Sequence, residues 1–386
     1  MKSPGNKTTA DVPMLDLSRQ YASIRSEVLA AIERACDSQQ YILGGEAAAL
    51  EKEFAALCGT TEAVACNSGT DALWLALAAA GIKNGDSVIT TPFSFFASAS
   101  SIVRAGARPV FADIDPETLN LDPAKVEQSL KASSHRNAVM PVHLYGQCAD
   151  MDGLERIAGE FKLPLIEDAA QAAGATWRGK PAGALGLAAA FSFYPTKNLS
   201  AYGDAGIVTT TSPEMAEHMR QLRNHGSPRR YYHDEFGWNG RLDAIQAAVL
   251  RVKLAKIETW NEMRRHHAAT YDRLFAEAGL ISGPGYIPVR LLGRSSRVKH
   301  VFHQYVIRAQ RRDELRQFLA DRKIGSEIYY PLPLHLQPVF SYLGLKPGDL
   351  PVAEQAAQEV LALPMFPELT DAEIGLVVES VADFYS

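Results

Sequence analysis

The feature that most constrains this chain is an alternation that runs from about residue 63 to residue 210. Short apolar runs rich in β-branched residues, near 63–66, 87–92, 109–115, 138–146 and 165–168, are separated by segments of helical character, near 72–81, 97–105, 123–131 and 154–161. Strands that are almost continuously apolar, with a helix between each pair, predict a mostly parallel sheet covered on both faces. Ligands of such sheets sit just beyond the carboxyl ends of the strands. Asn67, Phe95, His143, Asp168 and Lys197 all fall at or just past strand ends, so one site can draw on all of them.

The rest of the chain fits around this unit. With 386 residues, 47% of them hydrophobic, it can bury a large core and is long enough for two domains. We divide it into a flexible tail at 1–12, a large α/β domain at 13–255 and a small α+β domain at 256–386. Amphipathic patterns predict helices near 17–35 and 46–57, and one long helix over 242–275 bridging the domains. Gly283-Pro284-Gly285 marks a break. Beyond it, strands are expected at 300–307 and 325–330, and helices at 313–323, 351–361 and 370–386. A formal charge of −5 gives no reason to expect nucleic acid or a membrane surface as partner. No apolar run is long enough for a membrane span, and residues 1–10 lack the apolar stretch of a signal peptide. The four cysteines form no C-x-x-C pair and read as reduced thiols of a cytoplasmic protein. The long loop at 224–239 carries Arg229-Arg230-Tyr231-Tyr232-His233, and its length suggests function or an interface. His233-Asp234-Glu235, adjacent on a loop, is not read as a metal site, and no metal is expected elsewhere.

Three segments carry chemistry. Asn67-Ser68-Gly69-Thr70-Asp71 lies between a strand and a helix. There, backbone N–H groups and the helix dipole can hold a phosphate, although a plain N-cap at Ser68 or Thr70 explains the same residues. Asp168 closes an apolar strand and opens Asp168-Ala169-Ala170-Gln171. It is either another N-cap or a carboxylate paired with a buried cation. Phe191-Ser192-Phe193-Tyr194-Pro195-Thr196-Lys197-Asn198 ends a strand and presents one lysine. An isolated loop lysine is ordinarily just solvated, but this one follows a phosphate turn, an aromatic strand end at Phe95 and an acid. A lysine amine, a carboxylate for a ring nitrogen, a flat apolar surface and a helix N-terminus are the parts that hold pyridoxal phosphate.

ACNSGTDAL, TTPFSFFAS, IEDAAQAAGA, FSFYPTKNL with GDAG, RNHG, GWNGRLDAIQAAVL, HVFHQYVIR and IYYPLPLHLQP occur in that order. From about residue 13 to the end, the chain resembles the DegT/DnrJ/EryC1/StrS family of sugar aminotransferases. The resemblance implies fold type I, with a mostly parallel seven-stranded sheet, a smaller α+β domain, and a homodimer whose active sites lie at the subunit interface. It implies that Lys197 binds the cofactor and moves the proton, and that Asp168 pairs with the ring nitrogen. Phe95 would stack on the ring, with Phe93 close by in sequence; Gln171 would lie against the cofactor. Gly69, Thr70 and Ser192 would bind the phosphate, as would Asn239 from the neighbouring subunit. Arg241, Tyr330 and His335 fall in segments that the family uses near its substrate.

The implied reaction uses L-glutamate, releases 2-oxoglutarate, stores the amino group as pyridoxamine phosphate and passes it to a nucleotide-linked keto-sugar, 3-keto being favoured over 4-keto. The other readings are a sugar dehydratase or lyase, or a regulator without activity. Dehydratase relatives carry His in place of the lysine, and this chain keeps Lys197.

Overall fold

The computed structural model describes residues 11–132, 137–281 and 287–386, so the expected break at Gly283-Pro284-Gly285 lies outside the described residues. Its centre is a sheet of seven strands: β1 (Glu62–Cys66), β2 (Ser87–Thr90), β3 (Arg108–Phe111), β4 (Ala138–Met140), β5 (Ile166–Asp168), β6 (Ala188–Ser192) and β7 (Gly206–Thr210). The order is β1-β7-β6-β5-β4-β2-β3, with β4 and β5 joined by the parallel bridges Val139–Leu165 and Val142–Asp168. Every pairing is parallel except those of β7, which runs antiparallel to β1 and to β6. The two faces are packed by separate apolar clusters. One joins Leu50, Phe54, Ile157, Phe191 and Leu250; the other joins Val64, Leu73, Leu75, Val88, Met140 and Val208.

Helix Gly69–Ala79 starts directly after β1, and Ala72 to Leu77 are all buried. This explains its unbroken apolar sequence: it lies inside the fold rather than on its surface. Helix Ala97–Arg104 follows β2, and its Ser98, Ala99, Ser101 and Ile102 are buried.

The smaller C-terminal domain has its own core, in which Tyr271, Phe275, Tyr305, Ile307, Leu315, Leu361 and Val377 pack together. Its sheet is antiparallel, with Tyr305–Ala309 between Val289–Leu291 and Val360–Leu363. Val12, at the edge of the expected tail, is fully buried in this core and bridges Ile324. The expected single helix over 242–275 is two, Ala244–Leu254 and Ile257–Glu277. The expected strand at 325–330 is reduced to one bridge, Glu327–Ala362, because Pro331 and Pro333 follow at once. A strand not anticipated, Val360–Leu363, takes over where the helix at 351 ends. Among the described residues, no helix is long and apolar enough to cross a membrane.

Candidate active site

Strand order decides what meets at the carboxyl edge of the sheet. β5 delivers Asp168, and its neighbour β6 leads into the turn that carries Lys197. Asp168 is buried, and burial pushes its carboxyl above the usual range. Against this act the Ser98 hydroxyl, 2.6 Å from Oδ2, the Ala170 amide, 3.2 Å from Oδ1, and the nearby charge of Lys197. Ser98 is in turn 2.8 Å from the Ser94 hydroxyl.

Lys197 is half-buried. Loss of hydration lowers its amine to about 8, and the Asp168 charge only partly opposes this. Among the described residues the amine has no hydrogen-bond or ion-pair partner, so it is free to react. The next residue anchors the turn: Asn198 Nδ2 donates to Asn261 Oδ1 (2.8 Å) and the Val301 carbonyl (2.9 Å), and Oδ1 accepts from His303 Nδ1 (3.1 Å). The C-terminal part of the chain thus fixes the position of the lysine.

At the same carboxyl end of β6, Ser192 meets the helix N-terminus. A Cβ on Gly69 would lie 2.5 Å from Ser192 Cβ, so only glycine fits. Ser68 caps the helix by accepting from the Asp71 amide at 3.1 Å, so the N-cap reading is correct for Ser68. That leaves the Gly69 and Thr70 amides at the start of the helix, where no intrahelical acceptor exists. The cap and an anion site are compatible, since they use different donors.

Gln171 is held by both ends of its amide: Oε1 accepts from the Tyr145 amide at 2.6 Å, and Nε2 donates to the Tyr330 hydroxyl at 3.2 Å. Tyr330 lies 6.5 Å from Phe95 and edge-on to Phe93 at 6.1 Å. Phe93 is fully buried, whereas Phe95 is 60% exposed and keeps a free face. His143 is buried, and its ring spans Glu167 Oε2 (2.9 Å) and the Ala149 amide (3.2 Å). Nδ1 must accept from that amide, so Nε2–H donates to Glu167, which also accepts from the Gly183, Leu185 and Gly186 amides. This network stiffens the strand that ends in Asp168.

Two expected residues make contacts away from this cluster, and a third lies at its edge. Arg241 donates to Asn224 Oδ1 at 2.9 Å. His335 is buried and lies 3.1 Å from Glu354. Asn239 is exposed, and its carbonyl accepts from Asn67 Nδ2 at 3.4 Å, beside the helix N-terminus of its own chain. The loop around it exposes Tyr231, Tyr232, Phe236 and Trp238. His233 bonds the His225 carbonyl, and Glu235 pairs with His218. Sequence reasoning missed Ser98, Ser94, Asn198, His303 and Tyr145. Ser94 and Ser98 lie in a motif it used, but in a turn and helix crowded with serines.

A reactive amine, a buried carboxylate, an open aromatic face and a glycine-only approach to a helix N-terminus suit the chemistry of pyridoxal phosphate. Together with the sheet order, they define a fold type I pyridoxal-phosphate enzyme. Comparison with known proteins agrees. The pattern of the DegT/DnrJ/EryC1/StrS aminotransferase family matches residues 22–382, and the chain belongs to that family. It is 51% identical to the "Pleiotropic regulatory protein" of Geobacillus stearothermophilus, over 97% of this chain and 99% of the relative. It is 44% identical to a dTDP-3-amino-3,4,6-trideoxy-alpha-D-glucose transaminase of Streptomyces venezuelae, over 97% of each. The structure of S. venezuelae DesV in complex with a ketimine intermediate superposes with a TM-score of 0.92 at 43% identity, covering 97% of this chain and 98% of that one. The chain is a pyridoxal-phosphate-dependent aminotransferase of this family.

Proposed function

We propose that the protein transfers the amino group of L-glutamate to C3 of a nucleotide-linked 3-keto sugar. The observation that carries the chemistry is the Lys197 amine, without a partner among the described residues and lowered to about 8, near a buried Asp168. The choice of carbon rests on the S. venezuelae relative, whose product is a 3-amino sugar.

When bound, pyridoxal phosphate supplies an aldehyde and an electron-withdrawing ring. The chain's own groups do the rest. Lys197 would hold the cofactor through its amine and, when free, would carry the proton taken from Cα of the amino donor. Asp168 keeps the ring nitrogen protonated. Gly69, Thr70 and Ser192 bind the phosphate through backbone N–H groups and a hydroxyl. Phe95 would offer its open face to the ring, and Gln171, braced by Tyr145 and Tyr330, would lie against the cofactor. Tyr330 is the substrate-facing group of its segment; Arg241 and His335 support the wall through Asn224 and Glu354. The exposed aromatics of the 224–239 loop are buried in a homodimer, which brings Asn239 to the partner's phosphate. In the same reading the large domain ends near residue 255, where the two long helices meet, and residues 256–386 form the small one.

The regulator reading has one observation in its favour, the name of the 51% relative. The intact Lys197, Asp168 and Gln171 set outweighs it. Absorbance decides between them. Purified protein with cofactor should show the visible band of lysine-bound pyridoxal phosphate, lose it on adding glutamate and regain it with a nucleotide-linked 3-keto sugar. A band unmoved by glutamate would remove the transaminase reading. Recovery with 4-keto but not 3-keto sugars would move the carbon.

A further inference from the structure

Asp168 must be ionised to pair with a ring cation, yet it sits where ionisation is costly. It is 3% exposed, and its hydroxyl neighbours Ser98 and Ser94 are 1% and 5% exposed. An ionised carboxylate only accepts hydrogen bonds, so the 2.6 Å contact fixes Ser98 as donor to Oδ2. With its one proton committed there, Ser98 Oγ can only accept from Ser94, 2.8 Å away. The chain of donors therefore has one direction, Ser94 to Ser98 to Asp168. Each link polarises the next.

We propose that Ser98, driven by Ser94, is the positioning residue that keeps Asp168 anionic and turned so that a carboxylate lone pair stays open to the cofactor's ring nitrogen. The inference rests on the cofactor reading above. Both serines come from the turn and helix after β2, while Asp168 ends β5, two strands away in the sheet. The device therefore exists only in the folded sheet. Among the forces acting on Asp168, the Ser98 hydrogen bond is the largest that opposes burial. Ala170 holds Oδ1 through one amide only, which leaves a second lone pair on that oxygen. Without Ser98 the buried carboxyl would drift toward its neutral form. A neutral acid cannot hold a ring cation, so the ring nitrogen would lose its proton.

The test compares full-length wild type, Ser98→Ala, Ser98→Thr and Ser94→Ala, each titrated with pyridoxal phosphate. Two properties are read: cofactor affinity, and the pH midpoint of the visible absorbance of the bound cofactor. Loss of the ring cation removes its repulsion of the nearby protonated nitrogen, so that midpoint rises. For Ser98→Ala we expect about tenfold weaker binding, the scale of one hydrogen bond to a charged group, and a midpoint higher by about half a unit or more. Ser98→Thr keeps the hydroxyl and should restore both. Ser94→Ala keeps the bond to Asp168 and should shift the midpoint less, in the same direction.

A Ser98→Ala protein with wild-type affinity and midpoint would overturn the proposal. If Ser98→Ala does not fold, Ser94→Ala carries the test, and an unmoved midpoint there overturns it. Failure of wild type to bind the cofactor would instead remove the parent reading, so the two failures are distinguishable.

Discussion

Two lysines in this protein are pushed to the same acidity by the same force. Burial lowers Lys197 to about 8, and it lowers Lys253 to about 8 as well. They also share a segment of chain, because Lys253 donates to Ser200 at 2.6 Å and sits over the ring of Tyr202, in the loop that continues from Lys197. Their surroundings differ. Lys253 is 1% exposed and tied to a hydroxyl, with no open face. Lys197 has no hydrogen-bond or ion-pair partner among the described residues, and its nearest charge is the carboxylate at the end of β5. A perturbed acidity alone therefore does not mark the reactive amine. What marks it is an amine without a partner among the described residues, near a buried carboxylate held by Ser98 and Ala170.

The comparison breaks most easily at the amines themselves. Lys197→Ala should cost on the order of a thousandfold in turnover, since it removes both the covalent anchor and the proton carrier. It should also abolish the visible absorbance of lysine-bound cofactor. Lys253→Met, which keeps the volume and drops the charge, should leave turnover within about threefold, because volume-conserving swaps disturb packing little. Steady-state rates with glutamate as donor check both. Equal losses at the two positions would mean that the environment of Lys197 is not special.

Sequence made one of these lysines legible and hid the other. Lys197 stood out because Gly69, Asp168 and Phe95 lay at strand ends, a placement that period and apolarity reveal. Lys253 lies in the pattern of an ordinary surface lysine on an amphipathic helix, and only the packing of Ala244–Leu254 against its neighbours buries it. The same limit explains the split of the expected long helix. No Gly or Pro marks residues 254–257, so the break is imposed by tertiary contacts rather than by local preference. The antiparallel course of β7 was equally silent, since strand direction is set by which neighbours close the sheet. Ser98 was unreadable for a related reason: its partner is 70 residues away.

The contrast sharpens if Lys197 can be made to resemble Lys253 without being touched. Gly69→Ala places a methyl 2.5 Å from Ser192 Cβ and must push the helix N-terminus or β6 aside. Strain of this kind should weaken cofactor binding by roughly 10- to 100-fold. Gly45→Ala, where nothing lies within 4 Å of the added carbon, should bind as wild type does. Fluorescence titration with pyridoxal phosphate measures the difference. If Gly69→Ala binds normally, the phosphate sits elsewhere and the two lysines differ only in their partners.

The smallest effect tests the shared acidity. Capture of the aldehyde needs a neutral amine, so its rate follows the deprotonated fraction of Lys197. With the amine at about 8, stopped-flow capture by cofactor-free protein should rise about tenfold per pH unit below that value and level off above it. An ordinary lysine, near 10.4, would keep rising across the same range. Lys253→Met should leave the midpoint where it is, because Lys253 takes no part in capture. A wild-type midpoint near 10 would show that Lys197 is hydrated before the cofactor arrives. The protein would then reach its reactive form only as binding expels water, and burial would describe the loaded site rather than the waiting one.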